Sequence, residues 1–556
     1  MKRLLSTPHL GPSQLSFRIG LARKRLSAYP LDDINFIFNN IERPRMSRVM
    51  ADWWTGDLSG RILEALSASD GVDGVHDARL TAIYERLLRN RQPEGYIGEF
   101  AADPVRQSAD GFPNTVLNKI LPGLVRYYRL TGDLRALDAA ESEVNYLLRH
   151  KDAWMAYFKP DRPINLYNWV ADGIAQLYEI TGDKRYEQTL RETLARLGGI
   201  EYAHTHGAMT TLRAYQRMAH VTGDMSWNEK PELFRRRIAE KHYESVAGDI
   251  PEGFPMSPRN ESCSTADWMQ LNLWAGLLLS GEAADSAYAK AEHIFWNALA
   301  YNQIVTGGFG HRQFLRRGYG TMEFQEAWWC CTENALLAMS EYARHCVTAD
   351  DEEIRVNMLV PGVYDVDGAS VQIASLWPGR AEARVSVRDP RGRRVYVRRP
   401  EGVVGWREER SEQPGGLQLH LTGRVGHTVE PWEDRFALKY GILILAPGNN
   451  TWVQRENALA GSTIPAGYEG ASFSSMDFRV ELPAADESGF YPLNHLPLPN
   501  WIFYEESPDS RTSFENVSVT VPIVFDDGQR ADVRFWPLCY FVSTLTFYAL
   551  PLLFRL

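Results

Sequence analysis

Three short Thr-Gly-Asp segments constrain the fold of the first 350 residues most strongly. They are Thr131-Gly132-Asp133, Thr181-Gly182-Asp183 and Thr222-Gly223-Asp224. Each follows an amphipathic run, so its glycine can end a helix in the left-handed conformation and its aspartate can cap the next helix. The segments recur after about 40 to 50 residues, the length of a helical hairpin with its loops. They predict helices over 134–148 and 184–197, in pairs that either stack as an open solenoid or close into an α/α toroid.

The chain changes character near residue 350, where strand-like runs replace the helical pattern. Runs of this kind, separated by Gly/Pro turns, are typical of a β-sandwich. A further strand is predicted at 439–446, and β-rich sequence continues beyond it. The domains are therefore placed at 1–350, 351–446 and 447–556, the last packing on the sandwich or on the helices. The β-rich runs are 356–360, 370–374, 383–387, 394–397, 417–421 and 517–521.

Composition limits the partners of the chain. It has 556 residues, a formal net charge of −10 and no basic run, which argues against nucleic acid. The start of the chain lacks the apolar stretch of a secretory signal, and its cysteines have no evident pairing, so a reducing cytoplasm is expected. The uncharged segment 535–554 is long enough to span a membrane, but Pro537 and Pro551 interrupt it. We interpret it as a buried strand and turn.

Three of the five cysteines lie in two clusters that include a carboxylate. Glu261 precedes Cys263 by two residues, and Cys330 and Cys331 are adjacent. Thiolates and a carboxylate brought together by the fold would suit Zn²⁺. The alternative is that these cysteines are small buried apolar residues, which is common for free cysteine. Cys346 and Cys539 have no such neighbours, and we treat both as structural.

Four motifs on this helical and β-rich background resemble one known family. Taken in their order along the chain, they resemble motifs of glycoside hydrolase family 127, the retaining β-L-arabinofuranosidases. The resemblance extends from about residue 53 into the β-rich region. The motifs are residues 92–98 (QPEGYIG), Leu166-Tyr167 ahead of Thr181-Gly182-Asp183, Glu261-Ser-Cys263, and Cys330-Cys331-Thr332-Glu333-Asn334.

The resemblance implies a fold, a metal and a nucleophile. The fold is multidomain α + β, with an N-terminal (α/α)6 barrel over 1–350 as the catalytic domain, followed by β-sandwich domains. The metal is Zn²⁺, held by Glu261, Cys263, Cys330 and Cys331, and Cys330 is the nucleophile. A carboxylate usually has that role in a retaining glycosidase. A thiol can replace it only as a thiolate, and a metal ion deprotonates the thiols that it binds.

The acid/base residue departs from the family pattern. The family glutamate often lies sixteen residues before the E-x-C motif, where this chain has Ser245. The nearest carboxylates are Glu244, Asp249 and Glu252, and we assign the acid/base role to Glu252. Glu333 replaces the small or apolar residue usual before the motif asparagine. It is either a surface residue or a second carboxylate near the site.

Substrate contacts are predicted at three positions. His204 corresponds to a sugar-contacting histidine of the family, and His206 is close beside it. Since loops carry function, this His-Thr-His segment is interpreted as a ligand contact rather than as structural. Trp329, in the Trp328-Trp329 pair before the cysteines, would stack on the sugar. A further family histidine falls near residues 171–172, which are Ala-Asp here, so that contact is missing or replaced.

The sequence thus predicts a retaining glycoside hydrolase. It would remove a non-reducing β-L-arabinofuranosyl or related residue by exo action. One alternative is a relative that keeps zinc and binds carbohydrate but has lost catalysis. Another is a lyase or epimerase, because α/α toroids host these as well. The predicted partner is a carbohydrate, and neither nucleic acid nor a membrane is expected as a partner. A homodimer is left open.

Overall fold

The computed structural model describes most of the chain. The described residues are 4, 8–42, 56–98, 119–155, 170–197, 204–254, 257, 259–315, 318–447, 478–495, 517–525, 528, 530–540 and 549–556. Leu166 and Tyr167, from one of the family motifs, lie outside them.

The N-terminal part is mainly helical. Its α-helices are α1 (Gln14–Leu26), α2 (Ile34–Glu42), α3 (Asp57–Ser69), α4 (Leu80–Arg89), α5 (Ile120–Thr131), α6 (Leu134–Arg149), α7 (Lys151–Met155), α8 (Val170–Thr181), α9 (Lys184–Arg196), α10 (Thr205–Thr222), α11 (Glu229–Glu240), α12 (Ser262–Leu278), α13 (Gly281–Ile294), α14 (Ala300–Asn302) and α15 (Cys331–His345).

Six of the described helices pack in a closed ring. The order of neighbours is α3, α5, α8, α10, α12 and α15, and α15 returns to α3. The outer helices α4, α6, α9, α11, α13 and α1 each contact at least one member of the ring. Almost every residue of α10 and α12 is buried, as expected of helices covered on all sides. The ring brings the N-termini of α10, α12 and α15 near one another.

The Thr-Gly-Asp segments form the predicted helix boundaries. Gly132, Gly182 and Gly223 all have φ between +66° and +73°. Asp133 accepts a hydrogen bond from the backbone N–H of Arg135, and Asp183 accepts one from that of Arg185. The observed helices Leu134–Arg149 and Lys184–Arg196 match the predictions to within one residue at each end. Local turn chemistry therefore sets where these helices begin and end.

The C-terminal part is rich in sheet. The strands are β1 (His9–Leu10), β2 (Arg259–Glu261), β3 (Gly310–Leu315), β4 (Gly318–Glu326), β5 (Val347–Ala349), β6 (Glu353–Val356), β7 (Gly362–Val366), β8 (Ala369–Ser375), β9 (Glu382–Arg388), β10 (Arg394–Val397), β11 (Val404–Gln413), β12 (Gly416–Arg424), β13 (His427–Trp432), β14 (Arg435–Tyr440), β15 (Leu443–Pro447), β16 (Phe478–Val480), β17 (Asn494–His495), β18 (Val519–Phe525), β19 (Arg530–Pro537) and β20 (Ala549–Pro551).

These strands form four sheets in the described part of the chain. One has the order β1-β7-β8-β9-β12-β11 and another β10-β6-β5. A third joins β13-β14-β15-β19-β18-β16, with β17 beside β18, and so takes strands from both sides of the predicted boundary at 446/447. The fourth, β2-β3-β4-β20, returns the chain end to the helical part. The predicted mixture of helical and sheet-rich parts is confirmed, whereas the domain division stays a prediction.

Two strand predictions were inaccurate. The strand predicted at 356–360 is Glu353–Val356 instead. It ends there because the side chain of Asn357 donates hydrogen bonds to the backbone oxygen of His345 and to Oγ1 of Thr348. The run 439–446 is divided between β14 and β15 by a turn at Gly441, whose φ is +54°. The other predicted runs all overlap observed strands.

The apolar segment 535–554 contains no described helix. Its described parts are the end of β19, a 3-10 turn at Leu538–Tyr540 and the strand β20. Among the described residues, no helix combines the length and the apolar character needed to cross a membrane.

The contact between α3 and α5 depends on two glycines, which gives a stability prediction. A Cβ on Gly60 would lie 2.4 Å from the backbone nitrogen of Ile120, and one on Gly123 would lie 2.8 Å from the oxygen of Gly60. Gly60→Ala should therefore lower the free energy of unfolding by about 1–3 kcal/mol, as overpacking does. Urea titration followed by circular dichroism would measure it.

Gly20→Ala is the matched control. Gly20 is also inside a helix, but the nearest atom to an added Cβ lies at 4.0 Å. Alanine should stabilise this position by about 0.5–1 kcal/mol, because glycine is the poorer helix former. Equal effects of the two substitutions would contradict the proposed close packing of α3 on α5.

Candidate active site

Two helix N-termini bring the cysteine clusters together. Glu261 ends β2, and Cys263 lies in the first turn of α12. Cys330 precedes α15, and Cys331 is its first residue. Because α12 and α15 are neighbours in the ring, their N-termini meet. Helix N-termini favour negative charge, so this position suits thiolates.

The side chains of the two clusters are within contact distance. The Sγ of Cys331 lies 3.5 Å from that of Cys263 and 3.7 Å from that of Cys330. The Oε1 of Glu261 lies 3.8 Å from each of the sulfurs of Cys330 and Cys331. All four residues are buried. The fold therefore assembles the set of residues that the sequence predicted as metal ligands.

A fifth residue, His311, adds a nitrogen to this cluster. It lies on β3 opposite Glu261, and its Nε2 is 3.6 Å from the Oε1 of Glu261. Glu261, His311, Cys330 and Cys331 each place one ligand atom within 4.8 Å of the others, which makes them a candidate metal-binding cluster. Sequence analysis missed His311 because only the pairing of β2 with β3 brings it to the site.

The electrostatics distinguish Cys330 from the other two thiols. Hydrogen bonds from Cys263 and Cys331 lower the pKa of Cys330 well below its usual range. Burial raises the pKa of Cys263 and that of Cys331 well above theirs. Burial would also raise the pKa of Glu261, but hydrogen bonds with His204 and His311 outweigh it and hold the pKa well below its usual value. Without a metal, the cluster thus concentrates negative charge on Cys330 and Glu261.

Asn334 explains the asparagine of the C-C-x-x-N motif. Its side-chain amide donates a hydrogen bond of 3.1 Å to the backbone oxygen of Cys263. The bond ties α15 to the first turn of α12. Glu333 beside it is buried rather than on the surface, and burial raises its pKa well above the usual value. Neither of its carboxyl oxygens hydrogen-bonds to another described residue.

His204 lies at the edge of the cluster, as predicted for a substrate contact. It caps α10, and its Nε2 is 3.3 Å from Glu261 and 4.0 Å from Glu252. Burial opposes protonation, but the hydrogen bond to Glu261 raises the pKa of His204. Its side chain keeps 21% of its surface exposed.

His206 is in a different environment. It retains only 1% of its surface. Its Nδ1 contacts the carboxylate of Asp267, and its Nε2 lies 3.2 Å from Nη1 of Arg61. Burial lowers the pKa of His206, which favours the neutral ring. The predicted substrate contact at His206 therefore stays a prediction, with both ring nitrogens already engaged by protein groups.

The three candidate acid/base carboxylates have distinct surroundings. Asp249 is buried and bound by the side chains of Ser245 and Asn260. Glu244 accepts hydrogen bonds from Lys290 at 2.8 Å and from the indole of Trp268 at 3.2 Å.

Glu252 is the one of the three that approaches the cluster. The backbone pairing of His204 with Gly253 brings the Glu252 segment to the start of α10. Both of its carboxylate oxygens are bound by the guanidinium of Arg259, one at 2.6 Å. Of the three carboxylates, its position near His204 and Glu261 agrees best with the predicted role.

The remaining predicted positions are also described. Trp329 is half-buried in the turn before the cysteines, and its ring meets that of Trp328 edge-on at 5.2 Å between centroids. At residues 171–172, Asp172 is buried and lies 3.5 Å from Nε of Arg217 and 4.0 Å from Nη2 of Arg213. An ion-paired aspartate therefore stands near the position of the family histidine.

Comparison with known proteins identifies similar folds. The family model of the β-L-arabinofuranosidase GH127 catalytic domain matches residues 35–243. A solved GH127 β-arabinofuranosidase superposes with a TM-score of 0.63 at 13% identity, covering 99% of this chain and 98% of that one. A GH127 β-L-arabinofuranosidase from Geobacillus stearothermophilus T6 gives 0.65 at 13% identity, covering 99% and 100%. A structure described as a glycoside hydrolase gives 0.65 at 12%, covering 100% and 97%. No curated protein matches the sequence.

Proposed function

We propose that this relative of the GH127 β-L-arabinofuranosidases is a retaining glycoside hydrolase that uses Cys330 as its nucleophile. The family match over residues 35–243 supports the relationship predicted from the motifs and supports a glycoside hydrolase. The observation that carries the mechanism is the buried group of Cys263, Cys330, Cys331 and Glu261, in which Cys330 has the lowered thiol pKa. The closed order of ring helices supports an (α/α)6 barrel as the catalytic domain.

The cluster fits the zinc ion that the family implies. A tetrahedral zinc with bonds of about 2.3 Å to sulfur separates two sulfur ligands by about 3.8 Å. The sulfurs of Cys331 and Cys330 lie 3.7 Å apart, and that of Cys331 is 3.5 Å from Cys263. Glu261 completes the set, and His311 is close enough to replace one ligand. When bound, zinc would keep the coordinated thiols deprotonated at neutral pH.

Each step of a double displacement can be assigned to a residue of the chain. The Cys330 thiolate attacks the anomeric carbon, the bond to the leaving oxygen breaks, and Glu252 gives that oxygen a proton. A glycosyl-thioether on Cys330 results. Glu252 then takes a proton from water, which attacks the anomeric carbon and releases the thiolate, so that two inversions retain the configuration. Because Arg259 binds both oxygens of Glu252, this ion pair has to open before the proton transfer.

The substrate proposal is a non-reducing β-L-arabinofuranosyl residue. The enzyme would release this terminal residue by exo action. His204 and Trp329 would contact the sugar, since His204 lies beside Glu261 and Trp329 directly precedes Cys330. The family match supports this sugar. A carbohydrate-binding relative without catalysis remains the alternative, and it would bind sugar without turnover.

Activity and metal should be measured on the same sample. The protein should hydrolyse an aryl β-L-arabinofuranoside with retention, faster than the α anomer or the pyranosides, and should contain about one zinc per chain by mass spectrometry. Cys263→Ser should lose the metal and lower the melting temperature, because the site joins α12 to α15. Cys346→Ser, at a buried cysteine outside the cluster, should leave the metal content unchanged. Full zinc without turnover of any pentoside would favour the binding alternative, and turnover by metal-free protein would contradict the zinc proposal.

A further inference from the structure

We propose that Arg61, His206 and Asp267 form a buried positioning network that fixes the helices around the thiol cluster relative to one another. The inference rests on the proposed thiolate chemistry. It assigns His206 the role of positioning other residues rather than of contacting the sugar directly.

The network is a continuous chain of buried polar contacts. His206 lies between Asp267 at Nδ1 and Arg61 at Nε2. The guanidinium of Arg61 can only donate hydrogen bonds, so Nε2 of His206 accepts one from it. The ring hydrogen is therefore on Nδ1, which donates a hydrogen bond to the carboxylate of Asp267. Arg61 also binds Asp57 at 2.7 Å, and Asp267 also accepts from Arg213 at 2.6 Å. All five side chains are buried.

The network joins the helices that carry the cluster. Asp267 lies four residues after Cys263 on α12, and residues four apart share one face of a helix. His206 follows His204 by two residues at the start of α10. Arg61 comes from α3, which packs against α15. A substitution at His206 would therefore change the relative positions of α3, α10 and α12.

Arg61 is a buried residue held between Asp57 and His206. Burial would lower the pKa of Arg61, but the charges of Asp57, Cys330 and Cys263 raise it, so the guanidinium stays charged. The orientation of Arg61 is fixed at one side by Asp57 and at the other by His206. Loss of His206 would leave Asp267 short of a donor and Arg61 free to turn away.

The predicted effect is on reactivity and metal binding rather than on sugar affinity. His206→Phe keeps a ring but removes both hydrogen bonds. It should lower kcat by about 10–100-fold with little change in KM, and weaken zinc binding by about the same factor in chelator competition, as outer partners of metal ligands do. His206→Gln, whose amide can donate one hydrogen bond and accept another, should restore part of each effect.

Arg126→Met is the matched control for a merely structural role. Arg126 forms a buried ion pair of 2.6 Å with Glu341 in the same ring. Glu341 is ten residues beyond Cys331 on α15, about 15 Å along the helix. Arg126→Met should lower the melting temperature but leave the zinc affinity unchanged.

Each outcome decides the inference. If His206→Phe behaves like Arg126→Met, the network is only structural and the inference is wrong. If KM rises while kcat is unchanged, His206 contacts the sugar directly, and the inference is also wrong. If the wild-type protein hydrolyses no glycoside, the proposed function fails. The zinc affinity of His206→Phe still decides the inference in that case, since it does not need turnover.

Discussion

Cys330→Ser is expected to abolish turnover, with a loss on the order of 10⁴–10⁶-fold, as for other removed nucleophiles. The serine hydroxyl has a far higher pKa than the Cys330 thiol, which hydrogen bonds from Cys263 and Cys331 already hold low. The variant should still bind sugar, because Glu252, His204 and Trp329 are unchanged. Single-turnover kinetics and ligand binding by calorimetry, on a sample with measured zinc, would test both statements.

Cys331→Ser is the matched control for the nucleophile. Cys331 is fully buried, whereas Cys330 keeps 6% of its surface. Only Cys330 should therefore reach a substrate carbon, and Cys331→Ser should act mainly through weaker metal binding that added zinc partly restores. A haloacetamido sugar analogue should label Cys330 and leave Cys331 unmodified in peptide mapping. A label on Cys331, or continued turnover by Cys330→Ser, would overturn the thiolate mechanism.

The parts of the structure that depend on local chemistry could be predicted from the sequence. A glycine that ends a helix and an aspartate that caps the next act within a few residues, so Gly132 and Asp133 were sufficient to place the boundary between α5 and α6. The motif cysteines were found for another reason: Cys330 and Cys331 follow a family pattern. The candidate metal-binding cluster contains three of the four predicted ligands, Glu261, Cys330 and Cys331, together with His311, which was not predicted.

The missed residues depend on contacts that are distant in sequence. His311 reaches the cluster only because β3 pairs with β2. Arg61 is some 145 residues from its partner His206, and the sequence gives no sign of their contact. Asp267 did leave a signal, because a carboxylate four residues after Cys263 must lie on the same helix face. That face is buried and carries the carboxylate of Asp267.

The interior of the helix ring also differs from an ordinary apolar core. Arg213 and Arg217 lie beside Asp172, and Arg126 pairs with Glu341, all within buried surfaces. Buried ion pairs of this kind add little net stability, because desolvation offsets their attraction. They do fix the relative positions of the helices that carry them. An amphipathic pattern cannot reveal such pairs, since it assigns every charged residue to the solvent side.

Glu252→Gln is expected to slow substrates with poor leaving groups far more than activated ones. A poor leaving oxygen needs the proton that Glu252 provides, so kcat/KM for a 4-methylphenyl or alkyl β-L-arabinofuranoside should fall by about 10²–10⁴-fold. A dinitrophenyl glycoside needs no such proton, and its kcat/KM should change little. The second step still lacks its base, so the dinitrophenol should appear as a burst followed by slow turnover. Azide, which needs no base, should restore turnover and give a glycosyl azide of retained configuration.

Asp249→Asn and Glu244→Gln are the controls for that experiment. Asp249 is bound by Ser245 and Asn260, and Glu244 by Lys290, so neither should acquire a dependence on the leaving group. Arg259→Ala tests the ion pair that covers Glu252, and it should keep the burst-free kinetics of the wild type because the carboxyl group is still present. An equal loss for both classes of leaving group in Glu252→Gln, with no rescue by azide, would assign Glu252 to sugar binding. The acid/base role would then belong to whichever of the other two carboxylates showed the leaving-group dependence.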